Sequence, residues 1–224
     1  NYGLAPEHPF PGGLTDACAA YTWVVRHAAE YNVDLSRLIV SGESAGANLT
    51  MSVLLASTYR RNEPFARSVW DLGVVPAAVV PMCGLFQVTD PARFGRRKAS
   101  LPNFIRGRLE DITTAYVAEP VEGPISDLLD PLCALERGDQ PDRPLPPTFL
   151  SVGTADPILD DTRRLAQALE ALGVNVEARY YRGGMHAFQA FVFQSAAKQS
   201  WLDTHAFLSR VLPAAPQRTQ DTAA

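Results

Sequence analysis

The sequence predicts an α/β fold, a mainly parallel sheet with helices on both faces. Stretches with strand and helix patterns alternate along the 224 residues, and short turns separate most of them. Ser44, Asp156 and His186 each follow a predicted strand. Because ligand sites of such sheets lie at the carboxyl ends of the strands, these three side chains are candidates for one site.

The chain is predicted to open with a loop and a helix. Residues 1–13 contain three prolines and several glycines, which favour a loop. Thr15 or Asp16 can cap the helix that follows. Apolar residues at helical spacing carry that helix to about Tyr31.

The middle of the chain contains two predicted strands, one helix and a long insert. Three apolar residues at 38–40 predict a buried strand, and a helix follows up to about Tyr59. Residues 77–83 predict the next strand. Residues 85–147 show no sustained period beyond short helices near 103–117, so we expect a lid, a binding loop or a small subdomain. A mobile surface excursion is the alternative.

The last part of the chain returns to regular alternation. Its elements are a strand at 148–152, a helix capped by Asp160, Asp161 or Thr162 and stopped by Gly173, a half-buried strand at 174–181 and a helix at about 190–212. The half-buried strand is predicted from alternation, with apolar Val176, Ala178 and Tyr180 on one face and polar Glu177 and Arg179 on the other. Residues 213–224 are expected to fray. Residues 1–212 are therefore expected to form a single domain.

Composition and charge exclude several classes of function. The net charge is -4 and no Lys/Arg-rich run occurs, so nucleic acid is not an expected partner. No apolar run approaches a membrane span. Cys18, Cys83 and Cys133 lack paired spacing, which argues against disulfides and against a metal site. Free thiols in a reducing, cytoplasmic compartment are the simplest explanation.

The turn at residues 42–46 has the pattern of a nucleophile elbow. Its sequence is Gly-Glu-Ser-Ala-Gly, between a predicted strand and a predicted helix. Such a turn strains the serine backbone, and Gly42 and Gly46 let neighbouring chain approach. The Ala45 N–H, at the helix N-terminus, points to where an oxyanion would form. The alternative is a Gly-rich turn that happens to contain serine.

Two further residues complete a possible proton-transfer chain. A serine hydroxyl needs a base to become nucleophilic, and His186 can accept and return its proton. Asp156 can orient the imidazole and stabilise its charged form. Asp160 competes for this role, although it is better suited to cap the following helix. The order Ser44, Asp156, His186 is that of α/β-hydrolases.

The motifs resemble those of the hormone-sensitive-lipase-like branch of the α/β-hydrolases, the bacterial family IV esterases. Residues 2–11 (Tyr-Gly-Leu-Ala-Pro-Glu-His-Pro-Phe-Pro) are similar to a Tyr-Arg-Leu-Ala-Pro-Glu-His-Pro segment of that family. The elbow is similar to Gly-Asp-Ser-Ala-Gly, with Glu43 in place of Asp. Residues 156–160 and 184–188 resemble the segments that carry the acid and the histidine of the triad.

One segment of that family is not in the sequence. A His-Gly-Gly-Gly run lies upstream of the first motif there and supplies further oxyanion donors, whereas this chain starts at Asn1. We expect an N-terminal part with this run, the first strands and a cap. Residues 1–224 alone are expected to have little activity, because one lost oxyanion donor costs about 10²–10³ in turnover. Poor solubility is expected because the elbow strand would lack a neighbour.

The resemblance implies a carboxylic ester hydrolase that acts on short- to medium-chain acyl esters and needs no cofactor. A small-molecule ester is then the expected partner, and a homodimer is an open possibility. Two alternatives remain at this point. One is a serine peptidase or amidase on the same fold. The other is a non-catalytic ligand binder, against which the presence of His186 argues.

Overall fold

The computed structural model describes residues 1–97 and 102–214. Of the tail that is predicted to fray, residues 213–224, the part from 215 onward lies outside the described residues. In chain order the helices and strands are α1 (Gly12–Arg26), β1 (Ile39–Glu43), α2 (Ala45–Thr58), α3 (Pro64–Trp70), β2 (Ala78–Met82), α4 (Ala92–Arg97), α5 (Asn103–Tyr116), α6 (Ser126–Leu129), α7 (Pro131–Glu136), β3 (Thr148–Gly153), α8 (Leu159–Ala171), β4 (Val176–Tyr181) and α9 (Ser195–Val211).

The strands form one parallel sheet in the order β1-β2-β3-β4. The register aligns Glu43 with Met82 and Gly153 with Tyr181. Because every pairing is parallel, the carboxyl ends of all these strands lie along the same edge of the sheet. The loops that follow β1, β3 and β4 carry the three candidate residues, so these loops meet on one side of the molecule.

Helices cover both faces of the sheet, as predicted. On one face α2 packs on β1 and β2, and α8 packs on β3 and β4, while α9 packs on the other face. Successive side chains of β2 point to opposite faces of the sheet, so this strand contributes to the cores on both sides. Val79 joins the larger core with Leu54 of α2, whereas Val80 joins the core around Phe207 of α9. The predicted α/β class is confirmed.

β1 lies at one edge of the sheet, and β2 is its only hydrogen-bonded neighbour within residues 1–97 and 102–214. Its residues are half-buried except for exposed Ser41, whereas β2 and β3 are buried throughout. Apolar side chains such as Ile39 and Val40 line an open groove along this edge. The strand that precedes Ser44 is therefore open on one side.

The first helix differs from its prediction at both ends. It starts at Gly12, so Thr15 and Asp16 lie inside it. The Thr15 hydroxyl donates to the Pro11 carbonyl at 3.0 Å, and Asp16 accepts from the Gly3 N–H at 2.8 Å. Beyond Arg26 the apolar spacing continues in turns instead of a helix, and Asn32 has a left-handed φ of 53°.

The later elements show two further differences. In β4 the predicted alternation fails, because Tyr180 is exposed and Tyr181 is buried. Tyr181 packs against Phe188 and donates a hydrogen bond to Asp203 of α9, which draws its side chain inward. The last helix starts at Ser195 rather than at 190, because a short 3-10 turn, Phe188–Ala190, comes first.

The insert at 85–147 contains α4 to α7, with α5 in the predicted region. Its segment before α4 is tied to the body of the fold by buried polar groups. Asn48 of α2 donates to the Leu85 carbonyl at 2.9 Å, and Asp161 of α8 accepts from the Phe86 N–H at 3.0 Å. None of the helices in the described ranges has the length and hydropathy needed to cross a bilayer.

Candidate active site

Ser44 sits between β1 and α2 with strained backbone dihedrals. Its φ is 55° and its ψ is -113°, and its N–H donates to the Met82 carbonyl at 3.0 Å. A Cβ on Gly42 would lie 2.2 Å from the Gly46 carbonyl oxygen, so only glycine fits there. A Cβ on Gly46 would meet nothing within 4 Å. The expectation of close approach is therefore right for Gly42 and wrong for Gly46 among the described residues.

Asp156 lies in the turn after β3, and its side chain is fully buried. One carboxylate oxygen, Oδ1, accepts a hydrogen bond from the Ile158 N–H at 2.9 Å. This bond fixes the carboxylate at the start of α8 and leaves Oδ2 to face the loop after β4. The turn after the strand thus positions the acid without help from a distant side chain.

His186 is brought to Asp156 by close contact between two loops. The Ala155 N–H donates to the Gly184 carbonyl at 3.0 Å, and a Cβ on Gly153 would lie 2.0 Å from that carbonyl oxygen. The Gly183 N–H donates to the Thr154 hydroxyl at 2.9 Å. Only a glycine at 153 allows the two chain segments to approach this closely, and no pattern in the sequence indicated this requirement.

The three predicted side chains form one hydrogen-bonded row. His186 Nε2 lies 2.8 Å from Ser44 Oγ, and His186 Nδ1 lies 2.9 Å from Asp156 Oδ2. Because a carboxylate can only accept, it selects the tautomer in which Nδ1 carries the proton. Nε2 is then free to accept a proton from the serine hydroxyl. The arrangement suits proton transfer away from Ser44.

The electrostatics of the row favour a charged imidazole. The hydrogen bond that His186 donates to Asp156 is the largest influence and raises the pKa of His186 above its ordinary value, whereas burial lowers that pKa. The negative charges of Asp156 and Glu43 raise the pKa further. An imidazolium formed when the histidine accepts a proton is therefore stabilised where it forms.

Ala45 is the first residue of α2, so its N–H belongs to the set that has no acceptor within the helix. A cavity of about 420 Å³ opens beside it. The walls are the N-terminal loop, α2, the segment after β2 and α5, and the lining includes Leu4, Ala45, Asn48, Leu49, Leu85, Val88, Ile112 and Tyr116. This lining is mainly apolar, so the cavity suits an uncharged chain.

Asp160 and Asp161 do not have the predicted capping role. α8 starts at Leu159, with Ile158 at its N-cap position and no side-chain cap. Asp160 is partly exposed and pairs with Arg163 at 3.3 Å. Of Asp156 and Asp160, Asp156 is the one that bonds to His186. The geometry therefore favours Asp156 over its competitor.

Asp161 has a partner that the sequence did not indicate. It is fully buried and pairs with Arg93 at 2.7 Å, and it also accepts from the N–H groups of Phe86 and Gln87 at 3.0 and 3.2 Å. These bonds join the first part of the insert to α8. A separation of 68 residues left no local signal from which the pair could be predicted.

One group of side chains within the described ranges has donor atoms suited to a metal ion. It consists of Cys83, Asp156 and His186, whose ligand atoms all lie within 4.8 Å of one another. Two of them belong to the hydrogen-bonded row. Cys83 follows β2 and is buried, and its position beside the row was not predicted from the sequence.

Comparison with known proteins identifies related chains. Residues 1–190 match the model of a family described as alpha/beta hydrolase fold. Carboxylesterase NlhH of Mycobacterium tuberculosis (strain ATCC 25618 / H37Rv) is 32% identical over 197 residues, which make up 85% of this chain and 56% of that protein. The chain spans about half the length of the curated relatives it matches.

Two solved structures share the fold closely. A crystal structure of an esterase from the bacterial hormone-sensitive lipase (HSL) family has a TM-score of 0.72 and 27% identity, covering 95% of this chain and 65% of that chain. The bacterial heroin esterase has a TM-score of 0.76 and 26% identity, covering 96% of this chain and 64% of that one.

Proposed function

Because the chain belongs to the alpha/beta hydrolase fold family, we propose that it carries the catalytic machinery of a serine carboxylic ester hydrolase. Ser44 is the nucleophile, His186 the general base and Asp156 the orienting acid. The observation that carries the proposal is the row of short hydrogen bonds, 2.8 Å from serine to histidine and 2.9 Å from histidine to aspartate. The likeness to a carboxylesterase and to HSL-family esterases supports the same reaction class.

The first half of the reaction forms an acyl-enzyme. Ser44 Oγ attacks the ester carbonyl carbon while His186 Nε2 takes the hydroxyl proton. The negative charge moves to the carbonyl oxygen, which the Ala45 N–H stabilises. The tetrahedral intermediate then collapses, and the imidazolium returns its proton to the alcohol oxygen as the C–O bond breaks.

The second half releases the acid by the same groups in reverse roles. Water replaces the alcohol, His186 takes a proton from it, and the resulting hydroxide attacks the acyl carbon. Collapse of the second intermediate returns the proton to Ser44 Oγ. Asp156 stays ionised throughout and keeps the imidazole in the tautomer that both steps need.

The cavity beside Ala45 supports the proposed substrate class. Its volume of about 420 Å³ and its mainly apolar walls suit a short- to medium-chain acyl group. The Ile112 and Tyr116 side chains of α5 form part of one wall, which supports the proposal that the insert at 85–147 acts as a lid over the site.

A cytoplasmic location, supported by the free thiols, and a homodimer remain predictions.

The direct test is hydrolysis of 4-nitrophenyl butyrate by the protein expressed from its full open reading frame. We expect Ser44→Ala to lower kcat/KM by at least about 10³-fold, since loss of the nucleophile leaves only binding and oxyanion stabilisation. The matched control is Ser41→Ala. This substitution removes a hydroxyl of β1, the strand before Ser44, that donates to the Val80 carbonyl of β2. This control should stay near the wild-type rate.

Three outcomes would count against the proposal. Equal rates for Ser44→Ala and the wild-type protein would rule out Ser44 as nucleophile. Cleavage of 4-nitroanilides or peptides at rates that match the ester would favour the amidase or peptidase alternative. The absence of turnover from the wild-type protein, combined with ligand binding, would favour the non-catalytic alternative.

A further inference from the structure

A buried thiol lies beside the proposed catalytic row and has no role in the proposed reaction. Cys83 follows β2 directly, is fully buried, and has a positive φ of 39°. Its sulfur lies 3.9 Å from the buried Gln189 Oε1. The sulfur, a carboxylate oxygen of Asp156 and a ring nitrogen of His186 all lie within 4.8 Å of one another.

The three atoms form a mixed sulfur, nitrogen and oxygen donor set. Thiolate, imidazole and carboxylate are the ligands that Zn²⁺ takes in proteins, and three protein ligands with one open position are a common arrangement. Donors at the corners of a triangle with sides of 4.8 Å or less lie at most about 2.8 Å from its centre. Movements of at most about 0.8 Å would bring them to zinc-ligand distances of about 2.0–2.3 Å.

We propose that Cys83, Asp156 and His186 form an inhibitory site for Zn²⁺ or a similar borderline-soft divalent cation. The imidazole side chain is 37% exposed, whereas the aspartate is fully buried, so the ion enters from the histidine side. Burial raises the pKa of the Cys83 thiol to about 12. Binding therefore releases the thiol proton, and the open position is taken by water.

The expected inhibition follows from the histidine tautomer. Nδ1 is the ring nitrogen that faces Asp156, so the ion binds at Nδ1 and takes the place of its proton. A neutral imidazole bound to metal through Nδ1 carries its proton on Nε2. Nε2 is the atom that must accept the proton of Ser44, so the metal-bound histidine cannot act as the base. This consequence rests on the proposed function, whereas metal binding itself does not.

Binding is tested first, independently of catalysis. Metal-free protein is titrated with Co²⁺, and the near-ultraviolet charge-transfer band of a cobalt–thiolate bond is recorded. We expect a saturable band in the wild-type protein and in Ser44→Ala, and no band in Cys83→Ala. Cys18→Ala removes another fully buried free thiol and should keep the band. Zn²⁺ should displace Co²⁺ and abolish it.

Inhibition is tested with 4-nitrophenyl butyrate at increasing free Zn²⁺. We expect reversible loss of activity that EDTA restores, and no loss with Mg²⁺, which prefers oxygen ligands. Cys83→Ala and the closer isostere Cys83→Ser should raise the half-inhibitory zinc concentration by about tenfold or more, because even the loss of a supporting residue costs about 10–100-fold in metal affinity.

The two measurements separate the possible failures. A cobalt band that depends on Cys83, without zinc inhibition of an active enzyme, would overturn the inhibitory role. No cobalt band in the wild-type protein, or a band unchanged in both Cys83 variants, would overturn the site. If the binding result holds and Ser44→Ala is as active as the wild type, the proposed function fails but the metal site stands.

Discussion

Replacement of Asp156 by asparagine tests the proton arrangement of the site with a change of almost no volume. In the native site Oδ1 accepts from the Ile158 N–H and Oδ2 accepts from His186, both at 2.9 Å. Asparagine has one oxygen and one NH₂ group. If its oxygen keeps the bond to Ile158, its NH₂ group faces Nδ1. Nδ1 must then accept, and the ring proton moves to Nε2, opposite Ser44.

The expected effect is a large loss of turnover with little change in substrate binding. A wrong histidine tautomer in a serine-histidine-aspartate triad lowers kcat by about 10⁴, which is about 5 kcal/mol of transition-state stabilisation. KM should change little, because the acid does not touch the substrate. The opposite amide orientation would place the NH₂ group against the Ile158 N–H, so it offers no easy route to recovery.

The assay is the steady-state hydrolysis of 4-nitrophenyl butyrate, measured for the wild type, Asp156→Asn and Asp160→Asn. Asp160 is the matched control, because it is a nearby aspartate in the first turn of α8 that pairs with Arg163 near the surface. Its variant should keep the wild-type kcat. A value of kcat for Asp156→Asn within tenfold of wild type would refute the reasoning, as would an equal loss in both variants.

Three further predictions concern the proposed row and the contacts that hold it in place. The pKa of His186 is raised above its ordinary value of 6.5, so the base becomes protonated and inactive at a higher pH than usual. The acid limb of kcat/KM should therefore have its midpoint above pH 6.5, and a midpoint at or below 6.5 would contradict this prediction. Gly153→Ala places a Cβ 2.0 Å from a backbone oxygen and should cost about 1–3 kcal/mol in thermal unfolding, whereas Gly46→Ala, which meets nothing, should not. Asp161→Ala leaves the buried guanidinium of Arg93 without its carboxylate and should lower the free energy of unfolding in urea by about 3–5 kcal/mol. Arg67→Ala, which breaks an exposed ion pair, should lower it by less than about 1 kcal/mol. Similar losses in the two variants would contradict this prediction.

The features that sequence could predict are those encoded over short distances or by a regular period. The elbow is one, because Gly42 and Ser44 lie within one turn between a strand and a helix. The order of elements is another, because β2 and β3 are short apolar runs bounded by turn residues. The placement of Asp156 and His186 followed from that order, since parallel strands end on one side of a sheet.

The features that sequence could not predict depend on contacts between distant segments. Asp161 looked like a helix cap, yet it is fully buried because Arg93 reaches it from the insert. Tyr180 looked like the inward residue of an alternating strand, yet Tyr181 is the one drawn inward by α9. Gly153 gave no signal, because its need for a missing Cβ arises only when Gly184 packs against it.

Backbone strain also separates the features set by local sequence from those that depend on contacts between distant segments. Five non-glycine residues of the described chain have positive φ. Asn32 and Asp90 are of types that tolerate this conformation. Ser44, Cys83 and Ala187 are not, and all three lie at or beside the proposed row, where each costs about 1–3 kcal/mol that surrounding contacts must offset. Local preference would relax these three turns, so the row exists only because tertiary packing overrules it. Mutations that loosen this packing should therefore reduce turnover before they unfold the chain.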